Sequence, residues 1–147
     1  MRPFKIAKKT KIYISLALAL LCTPVMAKGE DLSQLIRLAN QGNAYSQNSL
    51  GLMYSKGQGV RQDYQKAFEW YTKSANQGLA SAQFNLGLLY DEGQGVRQNY
   101  QKAFEWYTKA ANQGDAIAQF NLGAVYSKGQ GVRQDYQKGF INGGDYL

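Results

Sequence analysis

Apolar residues recur along this chain at spacings of three and four, and the pattern returns every 36 residues. In Ala80 to Glu92, Ala82, Leu86 and Tyr90 fall at i, i+4 and i+8, with Leu89 beside them, and this stripe predicts a helix. Gly87 sits next to the stripe. Glycine costs roughly 1 kcal/mol inside a helix, so its presence predicts close approach of a second helix. Gly93 and Gly95 then punctuate the chain, with Gly93 at a helix-stop position and Val96 expected to anchor the loop. A second helix is predicted from about Asn99 to Gln113. Asn99 is a good N-cap type, as are its counterparts Asp63 and Asp135. Ala103, Phe104, Trp106, Tyr107 and Ala110 give that helix a wide apolar face, and Lys102 and Lys109 are expected to point outward.

The period organises the whole chain. Asn43–Gly78 and Leu79–Gly114 differ at 10 of 36 positions and are identical at 26. Self-similarity at this period predicts a solenoid of antiparallel helix pairs, each burying its apolar face against its neighbours. The expected divisions are an N-terminal capping helix in 28–42, repeats at 43–78 and 79–114, and an incomplete repeat at 115–147. The capping helix is read from Asp31 to Gly42, which matches the tail of a second helix and sets Ser33, Gln34 and Arg37 toward water. In the third copy Gly139, Ile141, Asn142 and Gly143 replace the residues aligned with Ala103, Glu105, Trp106 and Tyr107, so the last helix should stop after one or two turns. Either its end frays, or the chain is a shortened member of a longer array.

Residues 1–27 read as a secretory signal peptide. Arg2, Lys5, Lys8, Lys9 and Lys11 precede the apolar run Ile12–Leu21, Pro24 breaks it, and Val25-Met26-Ala27 predicts cleavage after Ala27. Ten apolar residues are too few to span a bilayer, which takes roughly 20. Leu21 before Cys22 is not the small residue that lipidation needs. The expected location is the periplasm or outside the cell.

Cleavage changes the charge picture. The formal charge of +7 includes five basic residues of the leader, and the remainder has 12 basic and 10 acidic residues. Near-neutrality gives no support to nucleic-acid binding. Cleavage also removes the only cysteine, and with it any disulfide, thiol nucleophile or thiolate ligand.

Catalytic chemistry is sparse. The sequence has no histidine, the usual general base and commonest metal ligand. After the leader there is no Ser-x-x-Lys or Gly-x-Ser-x-Gly motif. The GQGV glycines fit no phosphate-binding loop and read as a helix stop plus loop. Asp91-Glu92, adjacent at a helix end, reads as a solvated pair. The expectation is a protein that is not an enzyme and has no cofactor or metal.

LGLLY, GQGV and QNYQKAFEWYTKAANQG, recurring in register, resemble the Sel-like repeat family, relatives of tetratricopeptide repeats with a longer inter-helix loop. The resemblance covers roughly Asp31 to Phe140. It implies an all-α, right-handed solenoid that serves as an adaptor for protein complexes, often exported in bacteria. By likeness to tetratricopeptide arrays, one side of each first helix faces a concave groove. That places Asn48 and Leu52, Phe84 and Leu88, and Phe120 and Ala124 in a candidate partner-binding strip edged by Asn85 and Asn121. The alternative for Phe84 and Phe120 is packing between repeats. The expected partner is a protein or peptide, with no nucleic acid and no stable membrane span. Two other functions stay open: an envelope protein acting on cell-wall material or β-lactams, as implied by cysteine-rich relatives whose cysteines this chain lacks, and a truncated remnant of a longer repeat protein.

Overall fold

The computed structural model describes residues 28–135 and 137–139, and the expected leader (1–27) and the chain beyond Gly139 lie outside the described residues. Among the described residues the protein is an α-solenoid of six helices, 13 residues each. These are α1 (Lys28–Asn40), α2 (Ala44–Lys56), α3 (Tyr64–Asn76), α4 (Ala80–Glu92), α5 (Tyr100–Asn112) and α6 (Ala116–Lys128). Each packs chiefly on its neighbours in the chain. This is the arrangement expected of units that cannot bury their apolar faces alone.

The helix boundaries follow from side chains at the ends. Asn43, Asp63, Asn99 and Asp115 each accept a hydrogen bond from the backbone N–H three residues on, at 2.8–3.0 Å. These bonds satisfy donors that the first turn leaves open. Leu79 stands at the same place before α4 and forms no such bond. At the other end of the first helices, Gly57, Gly93 and Gly129 adopt left-handed conformation with φ of 67–69°, as the sequence predicts for Gly93.

The core forms at the joints between repeats. Ala67, Tyr71 and Ala75 of α3 meet Ala82, Leu86 and Leu89 of α4. One repeat later Ala103, Tyr107, Ala110 and Ala111 of α5 meet Ala118, Leu122 and Val125 of α6. The small residues admit large ones opposite. Tyr71 and Tyr107 are almost fully buried, whereas Trp106 is only half-buried and carries Lys109 over its ring at 3.9 Å. Gly87 has the predicted role: a Cβ there would lie 2.8 Å from the Tyr107 ring. Gly51 is tighter still, with the Tyr71 ring 2.5 Å from that position. Val96 packs on the α3–α4 cluster, as a loop anchor should. Ser33, Gln34 and Arg37 on α1 are exposed as expected.

The Asp91–Glu92 pair departs from its expected description. Glu92 is exposed, but Asp91 is partly buried and accepts a hydrogen bond from the Tyr107 hydroxyl at 3.3 Å. The reason is the close approach at Gly87, which brings the far end of the Tyr107 ring to the last turn of α4.

Candidate partner-binding face

The predicted strip falls on α2, α4 and α6, the first helices of successive repeats. Asn48 and Leu52, Phe84 and Leu88, and Phe120 and Ala124 are each four residues apart, so each pair shares one face of its helix. One polar contact joins two of these helices directly. The Asn85 side-chain amide donates to the Asn48 side-chain oxygen at 3.2 Å.

The apolar members have different surroundings. Leu52 is 37% exposed, and Leu88 and Ala124 are partly buried. Phe84 lies against the core between α5 and α6, with its ring 5.7 Å from that of Tyr107. For Phe84, packing between repeats therefore describes its position. Phe120, its counterpart on α6, is 59% exposed. In sequence, the third copy has Gly143 where the second has Tyr107. Ile117, one turn earlier on α6, is 62% exposed and extends the apolar surface at this end.

A second set of residues, missed in the sequence, ties the repeats together. Gln47 and Gln83 are buried. Their amides donate to the carbonyls of Ala39 and Ala75 in the last turn of the preceding helix, at 2.9 and 3.3 Å. Their oxygens in turn accept from Gln77 and Gln113 at 2.7 and 2.8 Å. Gln119 repeats the first contact, onto Ala111, at 3.2 Å. A buried amide without partners would be costly. Each glutamine instead satisfies a helix end and fixes the spacing of the next unit. The signal was present as a glutamine recurring every 36 residues three positions before Leu50, Leu86 and Leu122.

The titratable groups favour structure over acid–base work. Burial pushes the Tyr107 phenol well above its ordinary range, and the nearby Asp91 carboxylate pushes it the same way. Burial also raises Tyr71, partly countered by its hydrogen bond with Ser55. Both phenols stay protonated at neutral pH. Among the described residues no group of His, Cys, Asp or Glu side chains is placed to hold a metal ion. Nor, among them, is any helix long and apolar enough to cross a membrane.

Comparison with known proteins agrees with this architecture. A protective antigen of uropathogenic Escherichia coli displaying an SLR fold superposes with a TM-score of 0.77 at 38% identity. That match covers 79% of this chain and 25% of the antigen. A Sel1 repeat protein from Oxalobacter formigenes gives 0.66 at 41% identity, covering 69% of this chain and 41% of the other. Helicobacter pylori cysteine-rich protein B shares the fold at 18% identity and a TM-score of 0.59, covering 78% of this chain and 82% of its own. The chain thus spans about a quarter and two fifths of the first two proteins. No curated protein matches it. The Sel1 repeat model matches residues 44–79, 80–115 and 116–141 in succession, and with the helix pairs stacked as described, the chain belongs to the Sel1 repeat family.

Proposed function

We propose that this protein is a non-catalytic scaffold of the bacterial cell envelope, binding a protein or peptide partner through the face of α2, α4 and α6. Sel1 repeat proteins are generally protein-interaction scaffolds, typically without enzymatic activity. The observation that carries the specific reading is the exposure of Phe120 and Leu52, 59% and 37%, on a face where the Asn85–Asn48 bond joins α2 to α4. Exposed apolar side chains in register on parallel helices suit an amphipathic helix or an extended segment. The envelope assignment rests on the leader sequence, and cleavage after Ala27 is part of the proposal.

The test compares the chain from Lys28 onward with its Leu52→Ser/Leu88→Ser and Phe120→Ser variants as baits in envelope extract of the source bacterium. A protein retained by the unmutated bait and lost from both variants, with melting temperatures nearly unchanged, supports the reading. A large fall in melting temperature for both variants would show that these side chains are core, and would sink it. N-terminal sequencing of the exported protein checks the cleavage site.

A further inference from the structure

Each repeat carries a pocket of the same make where its loop meets its second helix. In the first repeat Tyr54, Val60, Arg61, Gln62, Asp63 and Lys66 line a cavity of about 610 Å³. The same positions, one and two periods later, line cavities of about 340 and 550 Å³. Much of each lining is already committed. Gln62 and Gln98 donate to the carbonyls of Ser55 and Asp91 and to the hydroxyls of Tyr64 and Tyr100. Val96 and Val132 pack on the core. Asp63 and Asp135 accept backbone N–H groups on a carboxylate oxygen, and Asn99 accepts one on its amide oxygen in the second pocket. An Arg and a Lys complete each lining. The ammonium groups of Lys66, Lys102 and Lys138 sit over the tyrosine rings at 5.2–5.5 Å. Arg61, Arg97 and Arg133 are exposed, and no described residue pairs with their guanidinium groups.

The three openings form one row. Gly95 lies against the carbonyl of Tyr64 at the start of α3, and Gly131 lies against Tyr100 at the start of α5. Each loop therefore rests on the second helix of the repeat before it. Charge is segregated to this edge. Segments 55–66, 91–102 and 127–138 hold eight Lys or Arg and four Asp or Glu, while the rest of the chain from Lys28 holds four and six.

We infer that this edge is a second binding surface, separate from the face of α2, α4 and α6, and that it takes an acidic peptide segment with one carboxylate at each pocket. A guanidinium fork and an ammonium lining one pocket suit a carboxylate. The carboxylates of Asp63 and Asp135 at the rim disfavour densely charged phosphate polymers more than sparse single charges. Because each loop rests on the second helix of the repeat before it, successive openings are expected about one helix diameter apart, roughly 10 Å. An extended peptide advances about 3.3 Å per residue, so the matching pattern is an acidic residue roughly every third position.

The probe is a fluorescein-labelled Ser/Gly peptide with glutamate at every third residue, followed by anisotropy with the full chain at low salt. Its control is a peptide of equal composition with the glutamates clustered at one end. The spaced peptide is expected to bind more tightly. Arg61→Ala, Arg97→Ala and Arg133→Ala should each weaken it at least threefold, and all three together at least thirtyfold, with unchanged melting curves because the side chains are exposed. Arg97→Lys, which keeps the charge and loses the fork, should fall between. Leu52→Ser/Leu88→Ser should leave peptide binding intact, so failure here is distinguishable from failure of the other face. Four results would overturn the inference: no binding, equal binding of the clustered peptide, tighter binding to phosphatidylglycerol vesicles than to peptide, or an equal loss from Lys73→Ala/Lys109→Ala, which removes charge away from the pockets.

Discussion

Replacing Gly51 by alanine is expected to destabilise the protein, although alanine is the better helix former. The substitution gains about 1 kcal/mol of helix propensity. Against this, the new Cβ would lie 2.5 Å from two atoms of the Tyr71 ring and 2.9 Å from a third. Carbon atoms in contact sit about 3.5–4.0 Å apart, so the ring or the helix must move by roughly 1 Å. Tyr71 is 2% exposed and packed among Ala67, Ala75 and Leu86, so the ring has no free direction. Overpacking of this kind costs about 1–3 kcal/mol, and the absence of an escape route places this case in the upper half. The net loss is about 1–2 kcal/mol, or roughly 4–10 °C in melting temperature for a domain of this size. Circular dichroism at 222 nm during heating measures it. In a Tyr71→Ala background the obstacle is gone, and Gly51→Ala should stabilise instead. A rise in melting temperature for Gly51→Ala alone, or the same sign in both backgrounds, would refute the close-approach reasoning.

Other outcomes follow from the same geometry. Gly95→Ala should cost more than Gly78→Ala in a urea titration. Both positions have positive φ, but only at Gly95 would a Cβ meet backbone, the Tyr64 carbonyl. Gln83→Leu should cost about 1–2 kcal/mol by the same assay, because it leaves the Gln113 amide and the Ala75 carbonyl short of a partner. Tyr107 and Tyr71 are both raised above the ordinary tyrosine range. The unfolded chain therefore loses those protons first, near pH 10, so stability should be intact below that pH and decline above it. Tyr107→Phe should flatten the decline, as followed by melting temperature between pH 8 and 11.

The helices were legible because their ends carry local signals. Asn99 at an N-cap and Gly93 at a C-cap act within their own turn, and sequence spacing reports such short-range chemistry well. The close approach at Gly87 was legible for a related reason: a residue so poor for a helix implies a compensating contact. What escaped was chemistry that depends on another repeat. Gln83 reads as a surface residue until the end of the preceding helix is placed beside it. Phe84 and Phe120 are the same residue at the same position, and among the described residues only Phe84 has a tyrosine ring to lie on. Arg97 and Lys102 line one pocket because the chain turns at the Asn99 cap from the loop into α5, and the four residues between them conceal that.

The joints of this solenoid are copies of one another. Across the joints, the contact of Gln47 with Ala39 recurs at Gln83 with Ala75 and at Gln119 with Ala111, and inside the units Gln47–Gln77 and Gly51–Tyr71 recur as Gln83–Gln113 and Gly87–Tyr107. The two full units thus present the same plug at one end and the same socket at the other. Removing residues 44–79 would set Gln83 beside Ala39 with its partners intact, and duplicating them would lengthen the rod by one unit with no new interface to invent. Length is therefore an inheritable setting of this architecture, adjustable in steps of 36 residues, and the number of Arg–Lys pockets along its edge changes with each step.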